Sequence, residues 1–311
     1  MAFLSIQNLK VQYQTQGKRV HAVDDVSFSL ENKESMAIAG ESACGKSTLG
    51  LTIMRALQGN AAVSGEILLD DKPILKISDE EFTKNMRWKE ISMVFQGAMN
   101  SLDPVFTVKQ QFEEILKKHG YKGDHQKAIL EAVSVVGLPV DVLEKFPHEL
   151  SGGMKQRVVI SMALLLKPKF VIADEPTTAL DVLVQAQIMS LLKRLKKEGI
   201  CVMLISHDLG IISEIAEKVG IMYAGRIVEF GNLSDIYGNP KHPYTDALLK
   251  SVPKLKGESE LVSLKGNPPS LVNPPEGCRF YDRCPHAMEK CKKEPPKIKT
   301  PSGFVLCWLY E

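Results

Sequence analysis

The chain has 311 residues, 44% hydrophobic and 24% charged, with a formal net charge of +2. This is globular composition, long enough for one large or two modest domains with ample core. Near-neutral charge argues against a broad electrostatic surface for nucleic acid or anionic lipid, and no apolar run approaches the roughly 18 residues that cross a bilayer. The start, Met1 to Tyr13, lacks a basic segment followed by a long apolar core, so it is not expected to be a secretory signal.

Leu4 to Tyr13 alternates loosely and reads as a strand; Gln14 to Arg19, with Gly17, reads as a hairpin turn. Val20 to Leu30 alternates again, giving an antiparallel sheet. Tyr13 is a candidate platform for stacking adenine or an ordinary strand aromatic, and spacing leaves both open.

Ser35 to Ala39 is a short buried-strand run that leads into Gly40-Glu41-Ser42-Ala43-Cys44-Gly45-Lys46-Ser47-Thr48, a match to G-x-x-x-x-G-K-[ST]. Leu49 to Leu57 then reads as a helix. Strand, glycine turn and helix form the context of a phosphate-binding loop. Gly40 and Gly45 let the backbone close around an anion because no Cβ blocks it. Amides from Ser42 to Thr48 and the helix N-terminus add partial positive charge. Lys46 addresses the β- and γ-phosphates, and the Ser47 hydroxyl suits Mg²⁺. Cys44 lies beside the helix start, a place that can lower a thiol pKa; it is read as inert.

Val63 to Asp70 reads as a strand and turn. Ile91 to Phe95 is a buried strand with Gln96 at its carboxyl end, where ligands gather in open α/β sheets. Gln96 is a candidate to orient water or reach the metal. Val108 to His119 places Phe112, Ile115 and Leu116 at helical spacing, and Gln126 to Val136 does the same with Ile129, Leu130, Val133 and Val136. These stripes read as packing within a small helical subdomain, about 97–165.

Leu150-Ser151-Gly152-Gly153-Met154 opens a helix running to Leu166, with Ser151 as N-cap: a second anion-binding helix terminus. Phe170 to Ala173 is an apolar strand ending in Asp174-Glu175-Pro176. Paired carboxylates there suit Mg²⁺ at Asp174 and a polarised attacking water at Glu175. Ala179-Leu180-Asp181 opens a further helix. Cys201 to Ile205 is a strand closed by Ser206-His207-Asp208, with His207 a donor to a γ-phosphate.

Together these motifs resemble the ATPase subunit of an ATP-binding cassette (ABC) transporter over about residues 1–235. The resemblance implies an α/β P-loop NTPase fold: a mixed sheet core, an antiparallel subdomain and a helical subdomain. It implies a head-to-tail pair of ATPase subunits, homo- or heteromeric. In that pair Ser151, Gly152 and Gly153 complete the partner's ATP site, Asp181 is a further nucleotide-binding residue, and Glu175, His207 and Gln96 are catalytic. Two transmembrane permease subunits and, indirectly, an extracytoplasmic solute-binding protein are the implied partners. The chain would then sit peripherally on the cytoplasmic face of the membrane. Ala43 stands where a glycine is frequent and Gly97-Ala98 where Asp-Pro is common; neither removes a catalytic group.

Eleven of the 17 prolines fall in 236–311, so a linker and an irregular second region are expected there, with a short helix to Val252. His242-Pro243-Tyr244-Thr245 and the Gly277-Cys278-Arg279-Phe280 and Arg283-Cys284-Pro285 pair resemble the C-terminal extension of oligopeptide/dipeptide importer ATPases; Met154 leans toward the dipeptide D-type subunit. Of six cysteines, Cys278, Cys284, Cys291 and Cys307 crowd this tail with gaps of five, six and fifteen residues. Four thiolates satisfy a tetrahedral zinc or a [4Fe–4S] cluster, and the resemblance implies the cluster, in a structural role. The expected function is ATP-driven import of di- or oligopeptides. A nickel importer ATPase is the nearest rival. A soluble ABC ATPase acting on nucleic acid or ribosomes would show tandem cassettes or basic inserts, and intact Glu175 and His207 argue against a non-hydrolytic subunit.

Overall fold

A computed structural model describes residues 2–15, 17–178, 180–251 and 266–311. Its elements in chain order are β1 (Leu4–Thr15), β2 (Lys18–Leu30), β3 (Met36–Ala39), α1 (Lys46–Ile53), β4 (Ala61–Leu69), β5 (Lys72–Pro73), α2 (Asp79–Glu81), β6 (Ile91–Val94), α3 (Val108–Lys118), α4 (His125–Val135) and α5 (Gly152–Leu164). They continue with β7 (Phe170–Asp174), α6 (Val182–Lys197), β8 (Cys201–Ser206), α7 (Leu209–Ile215), β9 (Lys218–Tyr223), β10 (Arg226–Asn232), α8 (Leu233–Gly238), α9 (Pro243–Lys250), β11 (Lys297–Thr300) and β12 (Gly303–Leu306). The chain divides into two compact units, Met1–Lys76 with Leu204–Glu311, and Ile77–Met203.

In the first unit an antiparallel sheet runs in the order β2-β1-β4-β5. Alternation in β1 puts Leu4, Ile6, Leu9 and Val11 in the core. The register of β1 against β2 shifts between Ile6 and Leu9, where Asn8 takes a left-handed φ of 47°. A mixed sheet holds β11-β12-β10-β9-β3 as successive neighbours. Strand β3 pairs parallel with β9, and its four residues are wholly buried. The two sheets meet through Phe28 and Phe230, stacked at 5.6 Å.

In the second unit β6 and β7 pair parallel, Ile91 opposite Phe170 and Val94 opposite Ala173. A capping box of Thr107 and Gln110 starts α3, which buries Val108, Phe112 and Leu116. Asp124 caps α4, which buries Ala128, Ile129, Ala132 and Val133. The helical stripes are therefore mostly packing, although Ile115 and Leu130 are only half-buried.

Two local expectations change. Helix α1 ends at Ile53 rather than Leu57, because Arg55 adopts a left-handed φ of 49° that stops the helix. The tail is more regular than its prolines implied: β11 and β12 form a hairpin, Lys297 opposite Leu306 and Thr300 opposite Gly303. Its inner strand β12 joins β10 through Glu229–Val305 and Phe230–Phe304, leaving β11 at the sheet edge. Helix α9 fulfils the short tail helix as far as Lys250; its expected end at Val252 lies outside the described residues.

Candidate nucleotide site

The phosphate turn lies in the first unit, between β3 and α1. Gly40 has φ 153° and Gly45 φ 107°. A Cβ on Gly40 would fall 2.1 Å from the Met222 carbonyl oxygen, and one on Gly45 2.1 Å from that of Ala22. Both glycines are thus required by close backbone approach, not by the motif alone. Ala43, also left-handed at φ 60°, tolerates the position that a glycine often fills. Leu49 N–H donates to Gly45 at 3.0 Å, which places Lys46, Ser47 and Thr48 in the first turn of α1. Their amides have no intrahelical carbonyl to reach, so they face outward for an anion.

Lys46 is 6% exposed. Its ammonium donates to the carbonyls of Gly40 at 2.7 Å and Glu41 at 2.8 Å. Cys44 Sγ lies 3.8 Å away. Burial pushes the Cys44 thiol up, against the pull of Lys46. Ser42 is exposed and Tyr13 half-buried; Tyr13 lies on β1 opposite Val20 and Ala61. His207 is exposed just beyond β8. The next residue, Asp208, caps α7 by accepting from Gly210 and Ile211 amides at 2.8 and 3.2 Å.

The carboxylates lie in the second unit. Asp174 closes β7 and is 2% exposed. Glu175 turns the chain sharply with φ 48°, and its carboxylate accepts from the Thr178 hydroxyl at 2.7 Å. Gln96 is exposed directly beyond β6. Ser151 caps α5, its hydroxyl accepting from the Met154 amide at 3.3 Å. Gly152 is exposed, and a Cβ on Gly153 would meet the Val184 methyls at 2.8 and 2.9 Å. Asp181 caps α6 by accepting from the Val184 amide at 2.9 Å. Ala179, which the sequence reading placed at that helix start, lies outside the described residues. The buried Asp174 carboxylate in this unit, and the Ser47 hydroxyl in the first, are each by chemistry the kind of oxygen ligand that Mg²⁺, a hard cation, takes.

The four tail cysteines converge in the first unit. Cys278, Cys284, Cys291 and Cys307 line one cavity with His242, Pro243, Tyr281 and Trp308. Cys278 N–H donates to the Cys291 carbonyl at 2.8 Å. Burial, reinforced by the three neighbouring thiols, pushes Cys278 up to about 11; burial raises Cys284 and Cys307 as well. The donors are those of a thiolate metal site. The cavity, however, has only about 10 Å³ of open space. Among the described residues no group of three or more His, Cys, Asp or Glu side chains stands ready to hold a metal ion.

Sequence reasoning missed Glu41, Tyr244, Arg279, Arg283 and Asp24. Arg279 reaches Asp24 and the Ala224 carbonyl, and Arg283 reaches Glu41 at 3.0 Å. Tyr244, Arg279 and Arg283 belong to the motifs that mark the tail, but their partners Glu41 and Asp24 lie 203 to 255 residues away in sequence.

Comparison with known proteins agrees with this architecture. The family model described as ABC transporter matches residues 23–178, and that described as Oligopeptide/dipeptide transporter, C-terminal region, matches residues 228–291. The chain is 45% identical to the dipeptide transport ATP-binding protein DppD of Bacillus subtilis, covering 99% of this chain and 95% of that one. It is 44% identical to the oligopeptide transport ATP-binding protein OppD of Escherichia coli, covering 99% and 93%. The bacterial ABC transporter cassette MJ0796, solved as a dimer, superposes with a TM-score of 0.66 at 29% identity over 74% of this chain and 98% of that one. The chain therefore belongs to the ATP-binding subunits of ABC transporters, in the branch that carries the oligopeptide/dipeptide C-terminal region.

Proposed function

We propose that this chain is the ATP-hydrolysing subunit that energises import of di- or oligopeptides through a membrane ABC transporter. The observation that carries the reading is the phosphate turn, with Gly40 and Gly45 pressed against Met222 and Ala22 and Lys46 enclosed beside them. Full-length similarity to dipeptide and oligopeptide transport ATP-binding proteins supports the solute class.

The mechanism follows from the groups. Lys46 exchanges its carbonyl partners for the β- and γ-phosphate oxygens, and the amides of the turn and of the first turn of α1 bind the remaining charge. Ser47, Asp174 and Gln96 are the residues that would hold Mg²⁺, which would supply neutralisation of phosphate charge. Glu175 orients and polarises the attacking water, and His207 donates to the γ-phosphate. Tyr13 offers its ring face to adenine. Ser151, Gly152 and Gly153, with Asp181, act on the nucleotide of a second ATPase subunit. Support for such pairing is that the similar cassette MJ0796 was solved as a dimer, in one state bound to ADP and Pi.

In this reading residues 1–235 are the ATPase domain, with a helical subdomain at about 97–165 that receives the permease. Residues 236–311 are an extension in which the four tail cysteines would hold a structural [4Fe–4S] cluster. Its convergent thiols support that assignment. The partners are two permease subunits, a second ATPase subunit and, indirectly, a solute-binding protein, with this chain peripheral to the membrane's cytoplasmic face. No helix among the described residues is long and apolar enough to cross a membrane.

The test is co-purification of the tagged chain with its membrane partners, reconstitution in liposomes, and measurement of ATP-dependent peptide uptake. Uptake of nickel but not peptide would reject the solute class. Iron and acid-labile sulfide analysis of anaerobically purified protein tests the cluster; stoichiometric zinc without iron would reject it.

A further inference from the structure

The two short motifs that mark the tail end on a single residue of the phosphate turn. Arg283, from Arg283-Cys284-Pro285, donates from both terminal nitrogens to the Glu41 carboxylate at 3.1 and 3.0 Å. Tyr244, from His242-Pro243-Tyr244-Thr245, accepts the Glu41 backbone N–H on its phenol oxygen at 2.9 Å. The third polar group of Glu41, its carbonyl, accepts from Lys46 at 2.8 Å. The amide and carboxylate of Glu41 are therefore held by the extension, and its carbonyl holds the lysine of the turn.

The anchors are built into the interior. The Arg283 side chain is 5% exposed and Tyr244 is fully buried. A paired fork on a carboxylate is geometrically specific, and enclosure of Arg283 spares it the screening that makes surface pairs weak. Arg283 also donates to the Tyr223 hydroxyl at 3.2 Å, and its guanidinium lies over the Tyr223 and Phe280 rings at 5.6 and 5.8 Å. Tyr223, Tyr244 and Phe280 pack mutually, with centroids 4.5, 5.3 and 5.4 Å apart. Tyr244 is set in turn by the buried Glu229, which accepts the Lys241 and His242 amides at 2.7 and 2.9 Å. His242 Nδ1 accepts the Tyr244 amide at 3.1 Å. A second attachment, Arg279 to Asp24, fixes β2 two residues from Ala22, whose carbonyl abuts Gly45.

We propose that Arg283 and Tyr244 are positioning residues for nucleotide binding: the extension presets the Gly40–Lys46 turn by holding Glu41, so loss of either anchor weakens the grip of this chain on nucleotide. The inference rests on reading that turn as the ATP site. The physical reason is pre-organisation. An anion-binding turn that is already shaped loses less conformational freedom on binding, and Glu41 is the residue through which the tail removes that freedom.

The test is nucleotide binding by the full-length chain, titrated with a fluorescent ATP analogue. Arg283→Met, Tyr244→Phe and Glu41→Gln are each expected to raise Kd about tenfold, or ~1.4 kcal/mol. Arg283→Met made on the Glu41→Gln background adds less than about twofold, because both remove one fork. Arg283→Lys recovers part of the affinity, and Arg283→Met speeds amide exchange across 40–46. Should Arg283→Met fail to fold, Tyr244→Phe, which keeps the ring, decides. Kd within about twofold of wild type for the folded variants, or fully multiplicative effects in the double variant, would overturn the proposal. Wild-type chain that binds no nucleotide would instead overturn the ATP reading and this inference with it.

Discussion

The Gln156 side-chain amide donates to the Pro176 carbonyl at 2.8 Å. Gln156 is 4% exposed, so a buried bond ties the helix that begins with the Ser151-Gly152-Gly153 turn to the bend directly after Glu175. The Ser151 helix start and the carboxylate bend are thereby one mechanical piece within the second unit. Gln156→Leu leaves the Pro176 carbonyl unpaired in a dry place. The expected cost is about 1–3 kcal/mol of unfolding free energy, together with slower ATP turnover. Urea unfolding and steady-state ATPase assays measure both.

Glu175 is already oriented, with φ 48° and its carboxylate accepting from Thr178. Glu175→Gln keeps the shape and removes the base. Turnover is expected to fall by at least ~10²-fold, the usual contribution of a positioned general base, while ATP binding persists. Single-turnover kinetics beside equilibrium binding checks it; undiminished hydrolysis would refute the base assignment.

Gly45 combines φ 107° with a carbonyl contact that no Cβ fits. Gly45→Ala must shift β2 or the turn. Backbone strain of this kind costs about 1–3 kcal/mol, and the displaced turn is expected to lose nucleotide binding. Isothermal titration with ATP and a thermal melt together separate misfolding from a reshaped turn; a variant with wild-type affinity would contradict the close-approach argument.

Asp24 is buried, and burial alone would raise its pKa. The charges of Arg279, then Arg226 and Lys10, outweigh burial and hold it below its ordinary value of 3.8. A depressed folded-state pKa means this carboxylate stabilises the fold above about pH 4, and the contribution is lost as pH falls through the lower folded value. Asp24→Asn is therefore expected to destabilise strongly at pH 6 and progressively less toward pH 3. Urea midpoints of the two proteins across that range are the measurement; a constant difference would place the effect outside this ion pair.

Much of the cassette was legible from residue order. The helix caps at Ser151 and Asp181, the buried strands β3 and β7, and the turn between β3 and α1 are local events. Each is set by side-chain periodicity, glycine freedom or a polar cap within four residues, so a linear reading reaches them. The tail hairpin was legible in principle. Lys297-Ile298-Lys299-Thr300 and Gly303-Phe304-Val305-Leu306 flank a two-residue Pro301-Ser302 loop, but the prolines around it drew the reading toward irregular chain.

Sequence alone determined that this chain is an ABC ATP-binding subunit with a cysteine-bearing extension, because the chemistry of phosphate binding demands contiguous residues in a short turn. Only tertiary structure decided that Arg283 and Tyr244 close on Glu41, that Arg279 reaches Asp24, and that four scattered thiols line one cavity. Those relationships join residues up to 255 positions apart. They follow from how sheets and tail pack together, and no local periodicity encodes such a meeting.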